Sequence, residues 1–324
     1  MKKNLLVTGG SGFIGTNLLK ALTKLNRYKI TATYFSSKNF YKVKNVKYIK
    51  TNLENPKSCL KIAKNIDIIV MCAANSSGAA VMEKSPLVHL TPNIRMNLNM
   101  LEAGHFYSVS KFVFISSNTV YPVSDLAMKE RDAQFNFFGK YHIVGWMKRF
   151  SEIVCEIYSK KIKNKMKTII IRPGNLYGPY DKFDSKKSKV IPSLISRISA
   201  RQDPINVWGD GKDLKDFLYI DDFCNILVKI INRVNSFEIY NVASGKSVTI
   251  QKILKILIKI ENLNNNKIYY DVSKPTMIPK RLINIMKIKK QFKFKPSISL
   301  QEGLARTVKW YKKKRIYDHH KNTV

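Results

Sequence analysis

The segment Thr8-Gly9-Gly10-Ser11-Gly12-Phe13-Ile14-Gly15 constrains this chain more than any other. A short apolar run, Leu5–Val7, leads into it. A helical pattern follows, with Ile14, Leu18, Leu22 and Leu25 on one face. Gly9, Gly12 and Gly15 have the GxxGxxG spacing. A strand that ends in glycines and restarts as a helix gathers free N–H groups and a positive dipole end at one point. Without Cβ atoms, the backbone there can approach a pyrophosphate closely. Gly9, Ser11, Gly12, Phe13, Ile14 and Gly15 are therefore the candidate dinucleotide-binding residues.

The rest of the first half supports that context. Lys29–Tyr34, Val46–Ile49, Asp67–Cys72, Lys111–Ser116 and Lys167–Arg172 read as strands, and Ile94–Phe106 and Tyr141–Lys160 as helices. Strand–helix alternation with right-handed crossovers predicts an α/β fold, a doubly wound parallel sheet of Rossmann type, over residues 1–172. After Pro173 turn signals cluster, at Pro173-Gly174, Gly178-Pro179 and Gly209-Asp210-Gly211. Helical patterns follow at Ile191–Ser199, Asp222–Ile231 and Ile250–Ile260. A capping box, Ser299-Leu300-Gln301-Glu302, opens a last helix. Residues 173–324 thus read as a smaller mixed α/β region that completes a cleft and binds the substrate.

Charge bears on the choice of partner. Lys plus Arg number 58 and Asp plus Glu 22, a net +36. Such an excess attracts acidic molecules without identifying one. The lysines run along the whole chain, which reads as biased composition and gives no nucleic-acid partner. Cys59, Cys72, Cys155 and Cys224 are far apart, with no metal-ligand spacing, so no metal is expected and a reduced, cytoplasmic setting fits. No apolar stretch approaches the roughly 18 residues of a membrane span.

The second strand ends at Thr33-Tyr34-Phe35-Ser36-Ser37-Lys38. A carboxylate there would hold the ribose hydroxyls of NAD. Ser36, Ser37 and Lys38 stand instead, groups able to receive a 2′-phosphate. The cofactor expected is NADP or NAD, with the balance toward NADP.

On these motifs the chain resembles the extended short-chain dehydrogenase/reductase family of nucleotide-sugar enzymes. The resemblance also rests on Ala73-Ala74, on Ser116-Ser117-Asn118-Thr119-Val120-Tyr121-Pro122 and on Arg172-Pro173-Gly174-Asn175-Leu176-Tyr177-Gly178-Pro179. Lys189-Val190-Ile191-Pro192, Val207-Trp208-Gly209 and Ser273-Lys274-Pro275 look most like the GDP-L-fucose synthases within it. The resemblance implies a homodimer acting at C4 of a nucleotide-linked sugar, with GDP as the carrier. It places Ala73 beside the cofactor.

In that family a Ser or Thr, a Tyr and a Lys manage the proton on the C4 oxygen while a hydride moves to or from the nicotinamide. A lysine cation stabilises the phenolate of a tyrosine that otherwise titrates near about 10. Ser117 matches the hydroxyl position. Lys148 matches the lysine, but the position four residues before it is Val144. Tyr141 lies one turn earlier, and its Cα would be roughly 10 Å from that of Lys148 in place of roughly 6 Å. Two readings stand: Tyr141 is a displaced acid/base, or it is a substrate or packing contact in a protein of slow, altered or lost turnover, a binding protein that keeps the fold. Lys148 also suits the nicotinamide ribose.

The resemblance further aligns Thr119 and Lys189 with the epimerising Cys and His of fucose synthases, so double epimerisation is not expected. Asn118 and Thr119 stand where 4,6-dehydratases carry Asp and Glu, which disfavours dehydration. Asn175, Lys189, Val190, Trp208, Lys215, Arg281 and Thr119 are carried over as substrate contacts, with Lys215 and Arg281 facing the diphosphate.

Overall fold

The structure is a computed structural model that describes residues 2–37, 40–76, 85, 87–139, 142–184, 188–263, 266–274 and 278–322, with backbone alone for 317–322. The first half runs β1 (Lys3–Thr8), α1 (Phe13–Thr23), β2 (Tyr28–Tyr34), β3 (Val46–Lys50), α2 (Pro56–Ala63), β4 (Ile68–Met71), α3 (Leu87–Phe106), β5 (Lys111–Ile115), α4 (His142–Lys160) and β6 (Lys167–Pro173). The second half runs β7 (Asn175–Tyr177), α5 (Val190–Ser199), β8 (Ile205–Trp208), β9 (Leu214–Tyr219), α6 (Ile220–Arg233), β10 (Glu238–Val242), β11 (Ser247–Thr249), α7 (Ile250–Glu261), β12 (Ile268–Asp271), α8 (Met286–Phe292) and α9 (Leu300–Asn322).

Seven strands form one parallel sheet in the order β10-β6-β5-β4-β1-β2-β3. The central strands are apolar on both faces: Ile68–Met71 and Lys111–Ile115 are buried throughout. Edge strand β3 is only half-buried. That contrast is what a parallel sheet covered on both sides requires. Alternation divides the core. Leu5, Val7, Ile68, Val70, Val113 and Ile169 enter one cluster, where α1 and α6 pack together. Leu6, Ile69, Met71, Phe112, Phe114 and Ile170 enter the other, under α2, α3 and α4.

The seventh strand, β10, comes from beyond Pro173, as does α6. The large sheet therefore draws on both sides of the boundary expected at 172/173. Its pairing with β6 in register, Tyr240 against Ile171, links the halves by backbone hydrogen bonds. The remaining strands form two small sheets, β11-β9-β7 and β12-β8.

Helix α3 begins at Leu87, a full turn and more before the Ile94 expected from periodicity. Pro92 lies inside it and cannot supply the N–H owed to Val88. The Val88 carbonyl accepts instead from Asn75 Nδ2 at 3.1 Å. Helix α2 was not evident from apolar spacing; its signal was Asn55-Pro56, where Asn55 caps the Ser58 N–H at 3.2 Å and proline starts the helix. The capping serine of α9 behaves as expected, accepting from the Glu302 N–H at 3.2 Å. Among the described residues, no helix is long and apolar enough to cross a membrane.

Candidate active site

The sheet reverses direction of progression between β1 and β4, and there the glycine loop sits. This is the switch point at which α/β sheets open a crevice. Gly9 has φ +65°, and a Cβ on it would lie 2.7 Å from Ala73 Cα. Glycine thus lets the ends of β1 and β4 touch. Thr8 fixes the same junction, its Oγ1 accepting from the Cys72 N–H at 3.2 Å and the Ala73 N–H at 3.1 Å. Thr8 escaped the sequence reading because a buried threonine ending a strand carries no pattern of its own. Gly15 closes onto the carbonyl of Gly9.

Gly12 differs from its neighbours. It is exposed, and a Cβ there would meet only the Gly9 carbonyl within 4 Å. Gly12 is also the N-cap of α1, where no side chain caps the helix and the first turn carries no acid. The leading N–H groups of α1 and its positive end therefore face outward, uncapped. Such free N–H groups at a helix start suit an anion such as a phosphate. Ser11 Oγ donates to Ser37 Oγ at 3.1 Å, which brings the turn after β2 against the loop. Ser36 is exposed beside it, while Lys38 lies outside the described residues.

At the end of β5, Ser117 caps a single 3₁₀ turn over Asn118–Val120, its Oγ accepting from the Thr119 N–H at 3.1 Å. That bond uses an oxygen lone pair and leaves the Ser117 O–H as a donor. Thr119 is buried, and its Oγ1 has no hydrogen-bond partner among the described residues. Helix α4 lies directly on this turn. A Cβ on Gly145 would come within 2.8 Å of the Thr119 carbonyl and of the Phe137 ring. Gly145 thus occupies the position four after Tyr141 because the helix could not otherwise approach. Tyr141 itself lies outside the described residues.

Lys148 extends from α4 to the end of β5. Its Nζ donates to the Ile115 carbonyl at 2.8 Å and sits 4.8 Å from the Phe114 ring centre. Burial lowers its pKa to about 8, against the opposing pull of Glu152 and Cys72. Burial pushes the Cys72 thiol up to about 12, so it stays protonated near neutral pH. Val144 is half-buried on the same helix.

Behind Lys148 lies a polar network that sequence reasoning did not find. Arg172 forks onto Glu152, with Nε–Oε1 at 2.8 Å and Nη2–Oε2 at 2.7 Å. Ser116 Oγ donates to Glu152 at 2.5 Å, and Arg172 Nη1 donates to Tyr121 OH at 3.0 Å. Tyr121 OH donates to Asn241 Oδ1 at 2.5 Å. The Tyr121 pKa rises to about 12, chiefly from burial, which makes this tyrosine a poor proton carrier. The network ties α4, β5, β6 and β10 beneath the Ser117 turn.

The substrate-side candidates fall into two groups. Lys189 precedes α5 and places its Nζ 5.3 Å from the Phe13 ring centre, over the glycine loop. Val190 is half-buried at the start of α5. Nearby Asp181 is buried, and burial pushes its carboxyl pKa up while Lys189 opposes the rise. Lys182 Nζ donates to the Ser76 carbonyl at 2.7 Å and Asn17 to the Pro179 carbonyl at 2.9 Å, fastening this segment over the crevice.

The second group is held by the protein itself. Lys215 on β9 pairs with Asp213 at 2.9 Å and donates to the Ile278 carbonyl at 3.2 Å. Arg281 is buried and donates to the carbonyls of Pro122 at 2.8 Å and Tyr121 at 3.2 Å. Asn175 donates to the Asp216 carbonyl at 3.1 Å. Asp216 in turn holds the Ser244–Gly245 turn, its pKa raised by burial against those hydrogen bonds. Trp208 ends β8, partly exposed, with the Arg197 guanidinium 5.9 Å over its ring.

Comparison with known proteins agrees with the fold. The sequence profile of the NAD dependent epimerase/dehydratase family covers residues 5–243. A dTDP-4-dehydro-6-deoxy-D-allose reductase of Streptomyces sp is 26% identical over 96% of each chain. A probable GDP-L-fucose synthase of Oryza sativa subsp. japonica is 28% identical over 75% of each. Among solved structures, the UDP-N-acetylglucosamine 4-epimerase of Methanobrevibacter ruminantium M1, in complex with UDP-N-acetylmuramic acid, superposes with a TM-score of 0.83 at 28% identity. That match covers 97% of this chain and 100% of the other. With the profile running from β1 to the end of β10, the chain belongs to the NAD dependent epimerase/dehydratase family.

Proposed function

We propose that the chain is an NAD(P)-dependent enzyme that reduces, oxidises or epimerises a nucleotide-linked sugar at C4. The observation that carries this reading is Lys148. Its ammonium is held at the end of β5, with Ser117 on the next turn and the glycine loop at the same edge of the sheet. The uncapped start of α1 would hold the dinucleotide pyrophosphate, Ser36 and Ser37 would serve its adenosine ribose, and Lys38 would supply a cation for a 2′-phosphate. Bound nicotinamide supplies or accepts the hydride. Ser117 donates to the C4 oxygen, Lys148 holds the nicotinamide ribose and lowers the cost of a nearby anion, and Tyr141 exchanges the proton. Thr119, Asn175, Lys189, Val190, Trp208, Lys215 and Arg281 contribute the sugar-nucleotide side, through the side chain or by shaping the wall.

A GDP-sugar is the proposed substrate, supported by the resemblance of the Lys189–Pro192 and Val207–Gly209 segments to the fucose synthases. A dTDP-sugar is the comparator, because a dTDP-sugar reductase aligns along 96% of the chain. A homodimer belongs to the same reading; exposed Leu87, Trp146 and Ile157 on the adjacent helices α3 and α4 support it. The test is nicotinamide absorbance with NADH and NADPH against 4-keto GDP-, dTDP- and UDP-sugars, and with NAD and NADP against the 4-hydroxy sugars, together with chromatography of the sugar product, because epimerisation leaves the absorbance unchanged. Turnover with a GDP-sugar and with either cofactor is expected. Tight binding of cofactor and sugar nucleotide with no turnover would favour the second reading, a binding protein, for which Val144 at the usual tyrosine position is the motivating observation.

A further inference from the structure

The crevice lies at the C-terminal ends of the strands. The opposite edge carries a second cavity, of about 620 Å³, where β1, β2 and β5 begin and α6 ends. Lys2, Lys3, Arg27 and Lys111 line it with Tyr28 and Asn232, and no carboxylate does. None of the four cations forms an ion pair among the described residues.

Lys111 is the unusual member. It is 5% exposed, and its Nζ donates to the Ile231 carbonyl at 2.6 Å, in the last turn of α6. A lysine there complements the negative end of the helix dipole. That role accounts for one cation. Lys2 Nζ donates to Asn26 Oδ1 at 2.6 Å, which engages a second; neither contact accounts for Lys3 and Arg27 lining the same space, where each like charge raises the cost of the others. Burial and the charges of Lys3 and Lys167 lower the Lys111 pKa to about 8, the direction expected of a cation short of anions. A bound anion would relieve both the burial and the repulsion. Tyr28 OH, donating to Asn232 Oδ1 at 2.6 Å, gives the cavity a fixed polar wall.

We propose that this cavity is a binding site for a small phosphate-bearing anion, separate from the dinucleotide crevice. Its ligand class is a diphosphate or similar multivalent oxyanion, recognised by Lys3, Arg27 and Lys111 from three strand ends.

Inorganic pyrophosphate, titrated into the full chain by calorimetry, tests this. Lys3 and Arg27 are exposed, so the K3A/R27A variant keeps the fold. The K255A/K259A variant removes the same charge from exposed positions on α7 and controls for general attraction to a +36 chain. Gly12→Val closes the glycine loop and reports on the crevice. The expectation is that K3A/R27A weakens one class of pyrophosphate site by about tenfold or more, the scale of lost charge-assisted contacts. The control pair should change it less than about twofold, and Gly12→Val should leave that class intact. Equal losses in the two double variants would show diffuse attraction. Loss of all binding in Gly12→Val would place the anion in the crevice alone. Either result, or no binding by the wild type, overturns the proposal.

Discussion

The two walls of the crevice are built from different material. The proposed cofactor wall is backbone: Gly9 and Gly15 pack too closely for any side chain, and Gly12 leaves N–H groups uncovered. The proposed sugar wall is side chain, and two of its cations are already engaged. Lys215 pairs with Asp213, and Arg281 clasps the carbonyls that follow the Ser117 turn. A backbone site depends on local chain geometry and tolerates little change. A side-chain site depends on residues far apart in sequence and can be retuned one residue at a time. On the proposed assignment of the walls, that difference lets the sugar side vary while the cofactor fold stays the same.

The largest expected effect concerns proton transfer, at Tyr141 and at Lys148 of α4. Tyr141→Phe should lower turnover by about 10²–10⁴-fold, the span of general acid–base catalysis, with little change in sugar affinity. Val144→Tyr restores the usual spacing to Lys148 and should raise a slow activity. Lys148 adds a pH signature. Its ammonium is the form present below about 8, so turnover should fall as pH rises through that value. Lys148→Arg keeps the charge at all these pH values, and the alkaline fall should vanish with it. A Tyr141→Phe enzyme as fast as wild type would move the proton to Ser117, Lys189 or water.

The next effect tests the floor beneath both walls. Glu152→Ala strands the Arg172 guanidinium, whose Glu152 partner is 1% exposed. Breaking one side of a buried pair costs about 3–5 kcal/mol. Urea unfolding should show it. The exposed pair Lys160–Glu156 on the same helix supplies the contrast: Glu156→Ala should cost about 1 kcal/mol or less. Similar midpoints for the two variants would mean that the network does not bear the load its burial implies.

The same contrast explains what the sequence made legible. The cofactor wall could be read because its signals are consecutive: a strand, glycines at fixed spacing, then an apolar helix face. The parallel sheet followed from apolar runs at β1, β4, β5 and β6. Strand β10 did not stand out, since Glu238-Ile239-Tyr240-Asn241-Val242 matches no motif and joins the sheet through a partner about 70 residues away. The Glu152–Arg172–Tyr121–Asn241 network was hidden for the same reason. Each residue has an ordinary local setting, and only the fold brings them together. Lys215 and Arg281 were visible as cations, but not that Asp213 and two carbonyls already engage them.

Gly12→Val sharpens the cofactor side of the comparison. A branched side chain would cover the start of α1, the proposed pyrophosphate site. Dinucleotide affinity should drop about tenfold or more, as expected when charge-assisted contacts to backbone N–H groups are lost. Stability should fall less than at Gly9, because a Cβ at Gly12 meets one atom, the Gly9 carbonyl oxygen at 3.2 Å, which must give slightly. Gly9→Val should do the reverse and damage folding first, since its Cβ would collide with Ala73. Equal cofactor affinity in a folded Gly12→Val protein would remove the loop from the site.

The smallest effect belongs to Lys215, and it separates the two walls most directly. An unpaired lysine facing a diphosphate would be worth about tenfold or more in sugar-nucleotide affinity. Here Asp213 holds the ammonium at 2.9 Å, so a diphosphate must share the cation with a carboxylate. Lys215→Ala should then weaken the sugar nucleotide by only about three- to tenfold and leave dinucleotide affinity unchanged. Asp213→Asn releases the charge and should tighten sugar-nucleotide binding by a similar factor. In the double variant Asp213→Asn, Lys215→Ala the gain should disappear, because the carboxylate acts through the lysine. If Asp213→Asn tightens binding equally with and without Lys215, the carboxylate repels the diphosphate directly, and Lys215 is a strut for the Ile278 carbonyl.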